Sequence, residues 1–225
     1  MKILLFFIGN IAQFLPLVLF FVFFRKINKI VELRVVFLYV LVSLITNILL
    51  VVLNNYASLV ISISAIIEYA FFSAFFYICI QNKKFKNLIL SLSVLNICFE
   101  VFTLFLHKKN FDFWATLITA VLVLIYCIFF FYEEISKTET LLIYQSYTFW
   151  VATGCIIYLA GTLFLFLYTS DMEDKQKSSL WVIDIVFEII KNIFFSVAFV
   201  VGKNSKKIAA PAYFDDDTNM FKKSF

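Results

Sequence analysis

The chain has 225 residues, of which 63% are apolar and only 15% charged, and its mean hydropathy is +0.97. A soluble domain carries about 45–50% apolar and about 25% charged residues, so a soluble globular domain, a disordered chain, a collagen-like fibre and a disulfide scaffold are all excluded. The net charge of +4, with 31 phenylalanines against four glycines and two prolines, leaves an all-α polytopic membrane protein.

A bilayer core about 30 Å thick needs about 20 mostly apolar residues per helix. Seven runs meet that length: Ile3–Phe24, Val35–Leu53, Ala57–Ile80, Leu88–Leu106, Trp114–Tyr132, Ser146–Thr169 and Val182–Gly202. Residues 1–202 therefore read as a seven-transmembrane-helix bundle and 203–225 as a short cytoplasmic tail. The connection Asn54-Asn55-Tyr56 is tight enough to make the second and third spans antiparallel neighbours.

Lysine and arginine orient the bundle. One side collects thirteen: Arg25, Lys26, Lys29, Arg34, Lys83, Lys84, Lys86, Lys137, Lys203, Lys206, Lys207, Lys222 and Lys223. The other side holds five, namely Lys2, Lys108, Lys109, Lys175 and Lys177. The expected topology has the N-terminus outside and the C-terminus in the cytoplasm. Met1–Phe24 resembles a secretory signal in having a lysine before an apolar run. It lacks a small-residue cleavage site, and its charges follow the run, so it reads as a retained span. Trp114 and Trp181 are placed at the outer interface, and Tyr77, Tyr132 and Tyr147 near the inner one.

Cys79, Cys98, Cys127 and Cys155 lie in four different spans without a CxxC pair, and read as small hydrophobes. His107 stands alone at an interface. No metal site, cofactor motif or Gly-rich phosphate loop is indicated. The positive charge follows membrane topology, so no nucleic acid partner is implied. The tail, with Lys203, Asp215-Asp216-Asp217 and Pro211, reads as a solvated end, and Glu133–Gln145 as an interfacial segment.

Ionisable residues inside spans are costly and face the bundle interior or a cavity. There are five: Glu68, Glu100, Asp184, Glu188 and Lys191. Asp184, Glu188 and Lys191 fall at i, i+4, i+7, on one face of the seventh span. Measured from the outer end at about 1.5 Å per residue, Glu68 and Lys191 lie near the midplane, and Glu100 and Glu188 lie nearer the outer surface. Asn10 and Asn47 share the level of Glu100 and Glu188; Gln13, Asn96 and Tyr158 share that of Glu68 and Lys191. The fifth span offers Thr116, Thr119 and Tyr126. The inner half holds little beyond serines and Asn192.

This asymmetry predicts a polar cavity open to the outside over an apolar floor, with Asn10, Gln13, Asn47, Glu68, Asn96, Glu100, Tyr158, Asp184, Glu188 and Lys191 as its ligand- or proton-binding set. Glu68 and Lys191 are expected as a midplane ion pair, and Glu100 with Glu188 as two carboxyls sharing a proton. Interhelical hydrogen bonding alone is the competing explanation for the asparagines. In the sixth span, Gly154 and Gly161 lie seven apart and predict a close helix contact.

Ile67-Glu68-Tyr69-Ala70-Phe71-Phe72-Ser73 and Ile190-Lys191-Asn192-Ile193-Phe194-Phe195-Ser196 align, as a parallel repeat of the SWEET-carrier type would, although the Pro-Gln motif of those carriers is absent. Glu68-Tyr69 followed by aromatics, Phe149-Trp150 with Gly154, Tyr158 and Gly161, and Lys191-Asn192-Ile193-Phe194-Phe195 together resemble uncharacterised seven-helix inner-membrane proteins of Bacteroidota. That resemblance implies a bacterial cytoplasmic (inner) membrane location and a histidine kinase or other signalling partner. The leading functional expectation is an integral-membrane sensor or signalling subunit, in the lipid bilayer, binding an unknown small ligand. A proton-coupled transporter and an intramembrane lipid hydrolase of the lysoplasmalogenase type are the alternatives. No residue is assigned a catalytic role.

Overall fold

Backbone N–H and C=O groups cannot stay unpaired in lipid, so each apolar run closes its hydrogen bonds internally as a helix. The computed structural model describes residues 2–106, 113–136, 143–169 and 174–203, with side chains over the same ranges apart from positions 2–8, 10, 54, 113, 166, 169 and 174–181. His107, Lys108, Lys109, Lys137, the Trp181 side chain and the tail beyond 203 lie outside the described residues, so the structure does not bear on what the sequence suggests for them.

The helices are α1 (Lys2–Val22), α2 (Phe24–Ile27), α3 (Val31–Val52), α4 (Ala57–Cys79), α5 (Lys83–Leu106), α6 (Phe113–Ser136), α7 (Tyr147–Thr169) and α8 (Asp174–Gly202). Short 3₁₀ turns occupy Asn54–Tyr56 and Ile143–Gln145, and there is no strand among the described residues. Six helices are long and apolar enough to cross a membrane, within α3 to α8, and α1 contributes a shorter apolar stretch, Ile11–Val22. The outward surface is itself apolar. On α1, Ile11, Phe14, Val18 and Phe21 are exposed, and on α5, Leu95, Phe102, Phe105 and Leu106. These are lipid-facing stripes, since water would disfavour so large a patch.

Several helices outrun their apolar segments. α3 starts at Val31, α5 at Lys83 and α8 at Asp174, and α6 continues to Ser136. A helix has no reason to stop where hydrophobicity does, because its backbone bonds persist into the headgroup region. The first run behaves differently: the helix breaks at Phe23 (φ −102°, ψ 12°) and resumes for one turn that buries Ile27. Between α4 and α5 the chain turns through extended Ile80, and the Glu133 carboxylate accepts from the Gln81 and Asn82 backbone N–H groups at 2.8 and 3.1 Å. Asn82 Oδ1 accepts from Lys84 N–H at 2.9 Å and so caps α5.

The pairwise contacts form a closed ring, α1–α3–α4–α6–α7–α8 and back to α1, with α5 seated outside it against α4 and α6. The closest pair is α7 and α8. A Cβ added to Gly154 would stand 2.9 Å from Phe194 Cβ, and one on Gly161 2.4 Å from the Phe187 ring. The two glycines thus form a contact face that lets two backbones approach.

The buried face of α5 runs Ile89, Ser93, Asn96, Glu100 and Thr103, alternating four and three residues apart. Four of those five are polar. This helix is joined to the ring both by hydrogen bonds and by apolar packing of Phe85, Ile89, Leu92 and Ile97, with the Phe85 ring stacked on Phe129 at 4.7 Å.

Candidate functional site

The ring encloses a cavity of about 470 Å³ lined by α1, α3, α4, α6, α7 and α8 and by no residue of α5. Its wall reaches from Leu50 and Ile61, near the Asn54–Tyr56 end of the bundle, down to Tyr39, Phe72 and Lys191 at mid-helix. Below that level the interior is closed by Phe75, Phe76, Phe130, Cys127, Cys155, Phe195 and Phe199, all buried. Ser73, Asn192 and Ser196 are the polar exceptions just under the floor.

The floor is organised by one cation. Lys191 Nζ donates to Tyr39 Oη at 2.6 Å, and Tyr39 Oη donates to Glu68 Oε1 at 2.8 Å. Lys191 Nζ also stands 3.8 Å from Glu68 Oε1 and 3.6 Å above the centre of the Tyr158 ring. The ammonium is 2% exposed, while Glu68 at 29% faces the cavity. α3, α4, α7 and α8 therefore meet at one buried charge. A buried ammonium is tolerated when a carboxylate, a hydroxyl and an aromatic face together replace its water.

Higher on α8, Glu188 Oε1 accepts from Gln13 Nε2 of α1, and Asp184 Oδ1 accepts from Thr162 Oγ1 of α7 at 3.4 Å. Gln13 is fully buried, and its Oε1 has no hydrogen-bond partner among the described residues. Asn47, Ser43, Thr46, Ser64 and Thr116 complete the polar part of the wall.

A second polar cluster lies behind the wall. Thr119 Oγ1 donates to Glu100 Oε1 and accepts from Asn96 Nδ2 at 2.9 Å, and Glu100 Oε2 is buried with no hydrogen-bond partner among the described residues. Thr119 faces the cavity, but Asn96 and Glu100 do not line it. One level deeper, Tyr69 and Tyr126 hydroxyls meet at 3.0 Å, with Ser93 Oγ 3.3 Å from Tyr126 Oη. These contacts tie α5 to α4 and α6.

Of the ten residues singled out from sequence, Asn47, Glu68, Tyr158, Asp184, Glu188 and Lys191 line the cavity. Gln13 reaches it through Glu188. Asn96 and Glu100 sit on the ring's outer side, because α5 is excluded from the ring. The expected Glu100–Glu188 pair is replaced by separate partners, Thr119 for one and Gln13 for the other. The Asn10 side chain lies outside the described residues. Tyr39, Thr119 and Thr162 belong to the candidate site but were not among those singled out from the sequence. Thr119 was visible as one of the few polar groups in its span, whereas Tyr39, between Leu38 and Val40, carried no signal of its direction.

No protein-family model, curated protein or solved structure matches this chain, so the reading of the site rests on its geometry.

Proposed function

We propose that this chain is a seven-span integral-membrane sensor or signalling subunit, with its N-terminus outside and its C-terminus in the cytoplasm of a bacterial inner membrane. A small ligand enters the cavity from outside and rearranges α8 against its neighbours. The single observation that carries the reading is a cavity with carboxyls and hydroxyls in its wall that ends on the Glu68–Lys191 pair over a layer of buried aromatic rings. Such a vessel admits a ligand from one end, and the aromatic layer beneath closes the other.

The coupling element is α8. It supplies Asp184, Ile185, Glu188 and Lys191 to the cavity wall and then continues to Gly202, packed on Leu33 of α3. A ligand that bonds differently to Asp184 or Glu188 in two arrangements of α8 would bias that helix at its far end. A membrane or cytoplasmic partner, a histidine kinase among the candidates, would read the change there. The aromatic floor weighs against a carrier, which needs polar lining on both sides of its site.

Glu188→Gln keeps the size and hydrogen-bonding reach of the side chain. The variant is expected to insert and fold like the parent and to lose the ligand-dependent response. Photo-crosslinking from Lys26 and Lys84 in cells, comparing parent and variant, would identify the partner and report the response. Parent-like responses in Glu188→Gln would mean that the polar layer only holds helices together.

A further inference from the structure

Three carboxyls and one ammonium line the cavity: Glu68, Asp184, Glu188 and Lys191. The ammonium is committed at the floor, to Tyr39, Glu68 and the Tyr158 ring. Asp184 and Glu188 stand about 10 and about 4.5 Å above it along α8 by the helix rise. Among the described residues their hydrogen-bond donors are one hydroxyl, on Thr162, and one amide, on Gln13. Ionised carboxylates only accept, and each can take several donors. Gln13, 1% exposed and outside the cavity lining, holds Glu188 from behind through its amide N–H. This part of the site has acceptors in excess, and the one ammonium near it, Lys191, is already engaged by Tyr39 and Glu68 below.

The spacing defines what fills it. Residues at i and i+4 have Cβ atoms about 6 Å apart on one helix face. A single –NH₃⁺ group carries three donors and can bridge two carboxylates at that separation. The rest of the wall is apolar, with Val42, Leu50, Ile61, Ala65, Val123 and Leu165 facing the space. A volume of about 470 Å³ lies within the range of pockets for small organic molecules, and a bare metal ion would leave most of it unfilled.

Building on the ligand-binding reading above, we infer that the cavity takes a small organic amine, its ammonium on Asp184 and Glu188 and its apolar body along α3, α4 and α6. Lys191 is the internal counterpart of that ammonium, neutralising Glu68 so that the incoming cation is directed to the upper two acids.

The full-length protein in nanodiscs would be titrated calorimetrically with phenethylamine and with phenethyl alcohol, which has nearly the same shape and no positive charge. The amine is expected to bind at least ~10-fold more tightly, as hydrogen bonds to charged groups require. In Asp184→Asn/Glu188→Gln that advantage should vanish while the alcohol's affinity stays. Ser64→Phe, which projects a ring into the apolar part of the cavity, should weaken both. Equal binding of the two probes by the parent protein overturns the inference and leaves the cavity reading standing, and this comparison needs no variant to fold. An amine advantage that survives in the double variant also overturns it. If neither probe binds the parent, the inference fails, and the cavity reading loses its support with it.

Discussion

Lys191→Met is expected to collapse the yield of folded protein, and Glu68→Gln/Lys191→Met to recover most of it. Removing the ammonium alone leaves Glu68 and the Tyr39 hydroxyl facing each other across a buried floor with no cation between them. Breaking one side of a buried pair costs about 3–5 kcal/mol, whereas replacing both charges by groups of similar volume is often neutral. Tyr39→Phe should fall between the two, because it cuts the hydrogen-bonded link but leaves the direct 3.8 Å attraction of Lys191 for Glu68. The readout is the monodisperse fraction in detergent together with the midpoint of thermal unfolding. Losses that simply add in the double variant would show that Glu68 and Lys191 do not act as a pair.

Gly154→Leu is expected to be the most damaging substitution on α7. The obstacle there is Phe194 Cβ, 2.9 Å from a built Cβ, with the Lys191 carbonyl oxygen at 3.5 Å. A Cβ is fixed to its backbone, so relief requires α8 itself to move outward. Overpacking a well-filled contact costs about 1–3 kcal/mol, occasionally more. Here the movement would also shift Lys191, a turn away, off Tyr39. Gly161→Leu meets the Phe187 ring at 2.4–2.5 Å, Cγ included, so that half-buried side chain must swing about its Cα–Cβ bond; the substitution needs no backbone shift if that swing is open, and should then be milder. Ala160→Leu, on the exposed lipid side of the same helix, should be silent. Unfolding midpoints for the three variants in the same detergent provide the test, and equal losses at Gly154 and Ala160 would contradict the packing described.

The sequence carries much of this arrangement because depth in a membrane is a linear measure. Counting residues from the span ends is enough to put Glu68 and Lys191 at one level, and they are partners. The seven-residue spacing of Gly154 and Gly161 likewise marks a contact face. What depth cannot supply is the angular position of a helix. Asn96 and Glu100 form a stripe at the expected height, but a stripe can face a cavity or a neighbour. Only the packing of α5 in the groove between α4 and α6 decides that it faces Thr119. Tyr39 was hidden for the same reason. Helix ends were also poorly legible, since α8 begins eight residues before its apolar run without any change in backbone bonding.

On the proposed topology, the cavity admits water from outside and ends at the Glu68–Lys191 floor. This arrangement is tested most directly by labelling single cysteines with a membrane-impermeant thiol reagent applied to intact cells, in a background where Cys79, Cys98, Cys127 and Cys155 are replaced. Cysteines at Thr46, Ser64 and Thr162, in the cavity wall, and at Asn55, in the connection, should react from outside. Those at Phe76, Phe130 and Phe199, buried beneath the floor, should stay unlabelled, and those at Lys26 and Lys84 should react only after the membrane is permeabilised. Outside labelling at Phe76 or Phe130, or protection of Thr46, Ser64 and Thr162 while Asn55 reacts, would contradict the account.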